Sequence, residues 1–462
     1  MVIPVDFFRS LVWAIRKSTG KPFLMPFVRS HFYSFCIVGA HAVIAWRSHM
    51  GWASALAWVL GCLAVQWGAW LLLFRRLRER PREAIVPIIW IPIAAGIAIF
   101  SAPILDDDAW RFLWDGWLFS HGESPFASVP AAHFGDASLP PQISEVLDRV
   151  AYPDAPTVYG PVSQILFACA AWMSPAKLWG WKIVLIVSHT LLVALLWFGV
   201  GRANRWRVSL LAIAPPILFE FFINAHPDLP AIFLITASLV LQKRSAGFSA
   251  VFCALACTAR VHAWLMVPFI LWGLPWRHRL AWAACLAAIY APWLLLRAGT
   301  EWAGLGTFSE LWEFNSSFYA LLQMSGLSAE RARSVALIFA VAFCAVAFIR
   351  WARDGADSRK IPGVACYGAL LICAPVFNPW YALWMLPFLV QAGSAWRWAW
   401  VGVPALAYIT HGNLGHGGLD SFAHPAWVRL VEFTLLTVSA WMAARSPNAS
   451  SLGDRQWKTQ AE

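Results

Sequence analysis

The sequence predicts an all-α protein, a polytopic bundle of transmembrane helices with a long first loop that bears short helices. Of its 462 residues, 60% are hydrophobic and only 13% are charged, and the mean hydropathy is +0.60. Apolar runs close to the ~20 residues that a helix needs to cross hydrocarbon recur along the chain. Short basic clusters separate these runs, which is the distribution that orients helices in a membrane.

The apolar runs predict about twelve membrane spans, give or take two. They lie near residues 31–47, 52–74, 85–103, 182–200, 208–224, 228–242, 279–297, 333–351, 361–376, 380–395, 397–411 and 426–444. Residues 162–172 are apolar but too short to cross, and we expect a helix in the membrane interface there. Residues 248–271 are interrupted by Arg260 and His262, which favours a re-entrant pair of half-helices.

The charge pattern divides the chain into three regions. Residues 1–30 form a basic amphipathic lead-in that we expect on the cytoplasmic surface, residues 31–444 form the membrane domain, and residues 445–462 form a polar cytoplasmic tail. The basic segment RRLRERPR predicts a cytoplasmic loop, so the next span leads to the opposite face. The loop at residues 104–160 is therefore expected outside the cytoplasm, and both termini inside it.

The composition excludes several classes of partner. The net charge of +11 comes from the short clusters beside the spans, so it indicates contact with membrane lipids and not with nucleic acid. Most of the nine cysteines stand in apolar runs, and no cysteine or histidine spacing typical of a metal site occurs. The chain contains neither a phosphate-binding P-loop nor a dinucleotide-binding glycine motif.

Acidic residues are concentrated directly after the third predicted span. Residues 105–116 read LDDDAWRFLWDG and contain Asp106, Asp107, Asp108, Arg111 and Asp115. A carboxylate is costly in hydrocarbon, so this cluster must reach water, a counter-charge or a substrate. Adjacent carboxylates repel one another, which raises the pKa of at least one of them and suits a general base. A solvated helix end is the alternative interpretation.

Five segments, taken in order, resemble a known family of enzymes. They are LDDDAWRFLWDG at 105–116, YPDAPTVYGP at 152–161, NAHPD at 224–228, EFNSS at 313–317 and NPWYALWMLP at 378–387. The set resembles the bacterial glycosyltransferases of the GT-C superfamily, which are integral membrane enzymes, and is more remotely similar to the GPI mannosyltransferase catalytic subunit. The resemblance implies inverting transfer of a sugar from a polyprenyl-phosphate-linked donor, at the periplasmic face of a bacterial inner membrane. It implies an acceptor hydroxyl on a lipid, a glycan or a protein.

The resemblance also implies roles for individual residues. Asp107 aligns with the first aspartate of the family motif and is the expected general base, with Asp108 second and Asp106 third; an N-cap or a solvated charge is the alternative. Arg260 stands in an apolar segment and is expected to bind the donor phosphate, with His262 beside it; a snorkelling arginine is the alternative. The predicted sugar- and acceptor-binding residues are Arg111, Asp115, Tyr159, Asn224, His226, Asp228 and Asn378.

Structural roles are open for several of these residues. Asp115 orients Arg111 or the sugar, or else it only forms an i,i+4 ion pair with Arg111. Asn224 and Asp228 also suit helix capping around Pro227. The position of Glu220 in an apolar run suggests an arginine partner.

The resemblance and the charge distribution also lead to expectations about the sugar, the need for a metal and the class of function. Mannose is the sugar that the resemblance favours, while glucose, arabinose and aminoarabinose stay open. No cofactor or metal is required, although three adjacent carboxylates suffice to hold a divalent ion. A transporter or flippase of a lipid-linked sugar is the alternative function, but its charges should follow a path through the bilayer, and here they crowd one face. A membrane scaffold would not need ordered polar motifs on one side.

Overall fold

A computed structural model of the chain describes residues 27–50, 55–390, 394–416 and 419–445. The predicted lead-in at residues 1–30 lies mostly outside these residues, and so does the tail that follows Arg445. The described part of the chain is helical, and its only β-pairing is an isolated bridge between Phe314 and Val376. The predicted all-α class is therefore confirmed for these residues.

Twenty α-helices occur in the described residues. They are α1 (Val28–Arg47), α2 (Ala55–Glu79), α3 (Ile85–Ile89), α4 (Ile91–Ala98), α5 (Ala109–Ser120), α6 (Pro141–Leu147), α7 (Pro161–Met173), α8 (Trp179–Gly199), α9 (Arg205–Ala212), α10 (Asp228–Leu241), α11 (Ala246–Ala259), α12 (Val267–Trp272), α13 (Trp276–Leu295), α14 (Trp302–Leu311), α15 (Phe318–Met324), α16 (Ala329–Arg353), α17 (Gly363–Cys373), α18 (Leu386–Leu389), α19 (Ala399–Gly402) and α20 (Ala426–Arg445).

Five of the described helical segments are long and apolar enough to cross a membrane. They are Ala55–Glu79, Pro81–Ala98, Trp179–Gly199, Ala329–Arg353 and Ala426–Arg445. A sixth candidate is the pair Arg202–Ala212 and Ile217–Ile223, which bends by 53°. These helices agree with a helical membrane protein, but their length and composition do not confirm the predicted count of about twelve spans.

Proline interrupts two of the remaining predicted spans. The predicted spans at 380–395 and 397–411 contain 3₁₀ helices at Pro379–Met385 and Val403–Tyr408, each with proline in its first turn. Proline removes a backbone donor and clashes with the preceding turn, so an apolar run that contains it does not continue as one long α-helix. Composition alone therefore overestimates the length of the helices in this part of the chain.

The sequence singled out residues 162–172 and 248–271 as segments that do not form a simple span. The first is a short helix, and the second is a broken one. Helix α7 has 13 residues, fewer than the ~20 that a span needs. Within 248–271 the helix stops at Ala259, Arg260 adopts an extended conformation (φ −146°, ψ 136°), and a 3₁₀ helix begins at Val261. The break falls at the charged residues that predicted an interruption.

The loop that follows α4 carries α5 and α6 and is held by two sets of packing contacts. Phe112 of α5 stacks on Phe167 of α7, with ring centroids 5.2 Å apart. Gly116 lies so close to the Phe167 backbone that a side chain there would collide with it. A small separate core joins α5 and α6 through Leu113, Trp114, Trp117, Leu118, Ile143, Val146, Leu147 and Val150. These contacts fix the start of α5, and with it the aspartates that precede it.

Candidate active site

A cavity of about 770 Å³ opens beside the aspartate cluster. Its walls come from the residues before α5, from the loop before α7, from the break at Arg260, and from loops near residues 312, 378, 410 and 420. Of the predicted site residues, these line it: Asp106, Asp107, Asp108, Arg111, Tyr159, Arg260 and Asn378. Asp115, Asn224, His226, Asp228 and His262 do not; each is at most 3% exposed and lies behind the wall.

The three consecutive aspartates form a turn between the candidate span Pro81–Ala98 and α5. Leu105 has a positive φ of 67°, and the backbone N–H of Asp108 donates to Asp106 Oδ1 at 3.0 Å. None of their side chains caps α5, so the capping alternative does not describe them. Burial, together with the neighbouring Asp108 carboxylate, raises the pKa of Asp107 to about 6 and that of Asp106 well above its ordinary value. Burial also raises the pKa of Asp108.

Arg111 is held toward the cavity by Asp115. Its Nε donates to Asp115 Oδ1 at 2.8 Å, one turn further along α5. The other carboxylate oxygen accepts from Thr157 Oγ1 at 2.6 Å and from Gln164 Nε2 at 3.1 Å. Arg111 Nη1 donates to the Ala155 carbonyl at 3.0 Å, whereas its buried Nη2 makes no hydrogen bond. Asp115 is therefore an orienting partner of Arg111, and the ion-pair interpretation describes its contacts.

Arg260 is held in the same way by Asp228. The Arg260 Nε lies 3.0 Å from Asp228 Oδ1, which also accepts from Trp384 Nε1 at 2.9 Å. The guanidinium carbon lies 4.9 Å from the centroid of the Tyr159 ring. His262 stacks on Trp384 at 4.4 Å and approaches Asp228 Oδ1 at 3.7 Å. A buried arginine is costly unless it is paired, and Asp228 supplies that pairing while the guanidinium still faces the cavity.

Asn224 joins three distant segments behind the aspartates. Its Oδ1 accepts from the Ile104 backbone N–H at 3.0 Å, and its Nδ2 donates to the Tyr408 hydroxyl at 3.3 Å. The next residue, Ala225, has a positive φ of 65°, and its carbonyl accepts from Trp181 Nε1 at 2.8 Å. The helix α10 begins three residues later without a side-chain cap, so Asn224 tethers the loop before the aspartates and does not cap a helix.

His226 lies between Asp106 and Glu220. Its Nε2 is 4.0 Å from Asp106 Oδ1 and 3.4 Å from Glu220 Oε2, and the ring stacks on Trp380 at 3.7 Å. Glu220 Oε2 accepts from the Tyr408 hydroxyl at 2.8 Å. The expectation of an arginine partner for Glu220 was wrong, because a histidine and a tyrosine occupy that position. Asp106, Asp108 and His226 each offer one ligand atom, and these atoms all lie within 4.8 Å of one another.

The 3₁₀ helix Pro379–Met385 closes one side of the site with aromatic rings. Trp380 stacks on His226, and Tyr381 stacks on Trp384 at 4.6 Å. Asn378 lines the cavity just before this helix. From the sequence, these aromatic residues suited either the cavity or an aromatic belt at the membrane interface. In the structure they pack against residues of the site.

Sequence reasoning missed several residues that hold the site together. Thr157 and Gln164 bind Asp115 across separations of 42 and 49 residues, and Tyr408 binds Glu220 across 188. Thr157 falls inside the YPDAPTVYGP segment, which was the available signal for it. Gln164 and Tyr408 stand in apolar runs, where a lone polar residue could have been marked as a partner for a buried charge.

The apolar helices are of the kind found in helical membrane proteins, and an acid-lined cavity lies beside the end of a candidate span. The family model described as alpha-(1->6)-mannopyranosyltransferase, N-terminal domain, of the MptA/B family matches residues 33–275. This is more than half of the chain, and the chain belongs to that family. It is accordingly a glycosyltransferase of the mannosyltransferase type. Comparisons with curated proteins and with solved structures gave no match.

Proposed function

We propose that this protein transfers mannose from a polyprenyl-phosphate-linked donor to an acceptor hydroxyl, with inversion, in the manner of the GT-C superfamily. The reaction would take place at the periplasmic face of a bacterial inner membrane. The single observation that carries the proposal is the meeting of three aspartates and two oriented arginines at one cavity, next to the end of a candidate membrane-spanning segment. Family membership supports the sugar, and the membrane location suits a lipid-linked donor.

The proposed chemistry is a single displacement at the anomeric carbon. The acceptor oxygen forms a bond to that carbon while the bond from the carbon to the phosphate oxygen breaks on the opposite face. The electron pair leaves with the phosphate, and a carboxylate takes the acceptor proton in the transition state. This arrangement inverts the anomeric centre and needs a base and a cationic site on opposite sides of the sugar.

Asp107 is the best-placed base of the three aspartates. It lines the cavity, whereas Asp106 accepts a hydrogen bond from the Asp108 backbone and faces His226. Asp107 makes no ion pair with a lysine or arginine among the described residues. Its carboxylate is therefore free to accept a proton from a substrate hydroxyl.

Arg260 and Arg111 are the proposed partners of the leaving phosphate. Both line the cavity, and each is oriented by a buried aspartate that binds its Nε. Arginine presents donors that match phosphate oxygens in pairs. His262 lies behind Arg260 and would act on it through Asp228.

Aromatic residues at the rim of the cavity suit a glycan acceptor. The Tyr152 ring lies 4.8 Å from the Trp312 ring and 6.2 Å from the Phe422 ring, and all three residues line the cavity. Aromatic faces pack well against apolar faces of sugar rings. The family description supports an alpha-(1->6) linkage, so the acceptor would be the primary hydroxyl of a mannose unit.

The test is sugar transfer by the purified protein in liposomes that contain polyprenyl-phosphate mannose and a panel of acceptors. We expect transfer by the wild type and a rate loss of about 10²–10⁴-fold in Asp107→Asn, the usual contribution of a general base. Asp420→Asn, which alters another acid of the same cavity wall, is the control and should transfer normally.

Two results would contradict the proposal. An Asp107→Asn variant that transfers at the wild-type rate would remove Asp107 as the base and direct attention to Asp108. A wild type that transfers to no acceptor but moves the lipid across the liposome membrane would favour the transporter or flippase.

A further inference from the structure

The cavity holds more carboxylates than cationic groups that could oppose them. Arg260 is paired with Asp228, and Arg111 with Asp115. No lysine or arginine nitrogen of the described residues lies within ion-pair distance of the three consecutive aspartates. The basic side chain that does approach them is His226, whose Nε2 lies 4.0 Å from Asp106 Oδ1. A phosphate-linked donor would bring further negative charge into this site. An acid-rich cavity binds such a ligand poorly unless a cation intervenes.

Two of these aspartates converge with His226 on one point. One carboxylate oxygen from Asp106, one from Asp108 and a ring nitrogen of His226 all lie within 4.8 Å of one another. Asp106 and Asp108 also line the cavity, so a ligand held there would remain accessible from it. Two carboxylates and one imidazole are a donor set that suits divalent cations such as Mn²⁺.

His226 provides a separate indication of a missing ligand. It is 0% exposed; among the described residues its Nδ1 has no hydrogen-bond partner, and its Nε2 only approaches Glu220 Oε2, at 3.4 Å and without hydrogen-bond geometry. A buried polar group without a partner is rare in proteins and costs about 1–3 kcal/mol. The ring is held flat against Trp380, with Nε2 directed toward Asp106 and Glu220.

A proton alone does not satisfy this geometry. Asp106 and Glu220 both approach the same nitrogen, Nε2, so a single proton there can be donated well to only one of them. A cation bound to neutral Nε2 satisfies the imidazole and one or more carboxylates at once.

We propose that Asp106, Asp108 and His226 hold one divalent cation whose open coordination positions face the cavity. Whether the cation binds does not depend on the reaction that the protein catalyses. Its role in the reaction rests on the proposed function: the cation would bind the phosphate oxygens of the donor and oppose the charge that develops on the leaving phosphate. Asp107 is left outside the ligand set and keeps its place as the base. In this proposal Asp106 and Asp108 bind the cation, and Asp107 accepts the proton.

Mn²⁺ binding by the full-length protein tests the cation site without any substrate. Purified protein in nanodiscs is stripped with EDTA and titrated with Mn²⁺ alone, and bound metal is followed by electron paramagnetic resonance. We expect one ion per chain, with pulsed spectra that show coupling to an imidazole nitrogen. His226→Gln should abolish that coupling. Asp106→Asn and Asp108→Asn should weaken binding by at least about tenfold, since loss of even an outer-shell partner commonly costs about 10–100-fold.

Matched controls separate the ligands from the general acidity of the cavity. Asp107→Asn and Asp420→Asn each remove a carboxylate from the same cavity and should leave Mn²⁺ affinity unchanged. Asp107→Asn should therefore bind Mn²⁺ normally and yet show the loss of about 10²–10⁴-fold in transfer rate expected for removal of the base. EDTA should stop transfer by the wild type, and Mn²⁺ should restore it.

Several outcomes would overturn the inference. Absence of nitrogen coupling in the wild type rejects His226 as a ligand, and this measurement does not depend on whether any variant folds. Equal Mn²⁺ affinity in wild type and Asp106→Asn rejects the site. Full transfer after EDTA treatment rejects its task in the reaction. Bound Mn²⁺ with no transfer to any acceptor rejects the proposed function and leaves the cation site standing.

Discussion

Arg111 illustrates how the site depends on single buried contacts. Its position is set by Asp115, which is 1% exposed and also receives hydrogen bonds from Thr157 and Gln164. Breaking a buried ion pair by removing one charge commonly costs about 3–5 kcal/mol. We expect Asp115→Asn to lower the apparent unfolding temperature and to raise the KM for the donor more than it lowers kcat. Thermal unfolding in detergent and steady-state transfer measure the two effects.

The control for this prediction is an ion pair at the surface. Lys243 lies 3.3 Å from Asp357, and its side chain is 66% exposed; exposed pairs contribute about 0–1 kcal/mol. Lys243→Gln should therefore leave the unfolding temperature nearly unchanged. Equal effects of the two substitutions would show that Asp115 is not a buried orienting partner. The i,i+4 spacing predicted the Arg111 contact from sequence, but no local pattern identifies the partners from residues 157 and 164.

At the scale of secondary-structure elements, helix α14 packs closely against the loop before α7, and Gly304 makes this contact possible. A methyl group at Gly304 would lie 2.8 Å from the Pro156 carbonyl oxygen and closer still to that of Thr157. Overpacking of this kind typically costs about 1–3 kcal/mol. We expect Gly304→Ala to displace α14 from the loop that carries Tyr159, and so to reduce both transfer and thermal stability.

Gly306 in the same helix is the matched control, because no atom lies within 4 Å of a methyl group added there. Gly306→Ala should be neutral or slightly stabilising, since alanine favours the helix by about 1 kcal/mol relative to glycine. Normal transfer by Gly304→Ala would mean that this contact does not position the site. The sequence cannot distinguish the two glycines, because they differ only in what a distant segment places beside them.

The charge pattern predicts the orientation of the whole molecule in a membrane. The exposed Arg80 lies in the basic segment 75–82, and the exposed Ser138 lies in the loop beyond the candidate span Pro81–Ala98. If positive clusters stay in the cytoplasm, these two positions lie on opposite sides of the membrane. In a background without the native cysteines, an impermeant maleimide should label Ser138→Cys in intact spheroplasts and Arg80→Cys only after permeabilisation. The reverse labelling would place the aspartates in the cytoplasm.

The sequence by itself determined the helical membrane class, the order of the polar motifs and the position of the acid cluster at the end of a span. These follow from composition and local spacing, which depend on the chain alone. The tertiary structure decided how long each helix is, which of the predicted residues reach the cavity, and which stand behind it as partners. It also brought His226 to Asp106 across 120 residues of sequence. Such meetings depend on how helices pack, and packing is set by contacts between segments that no single stretch of sequence contains.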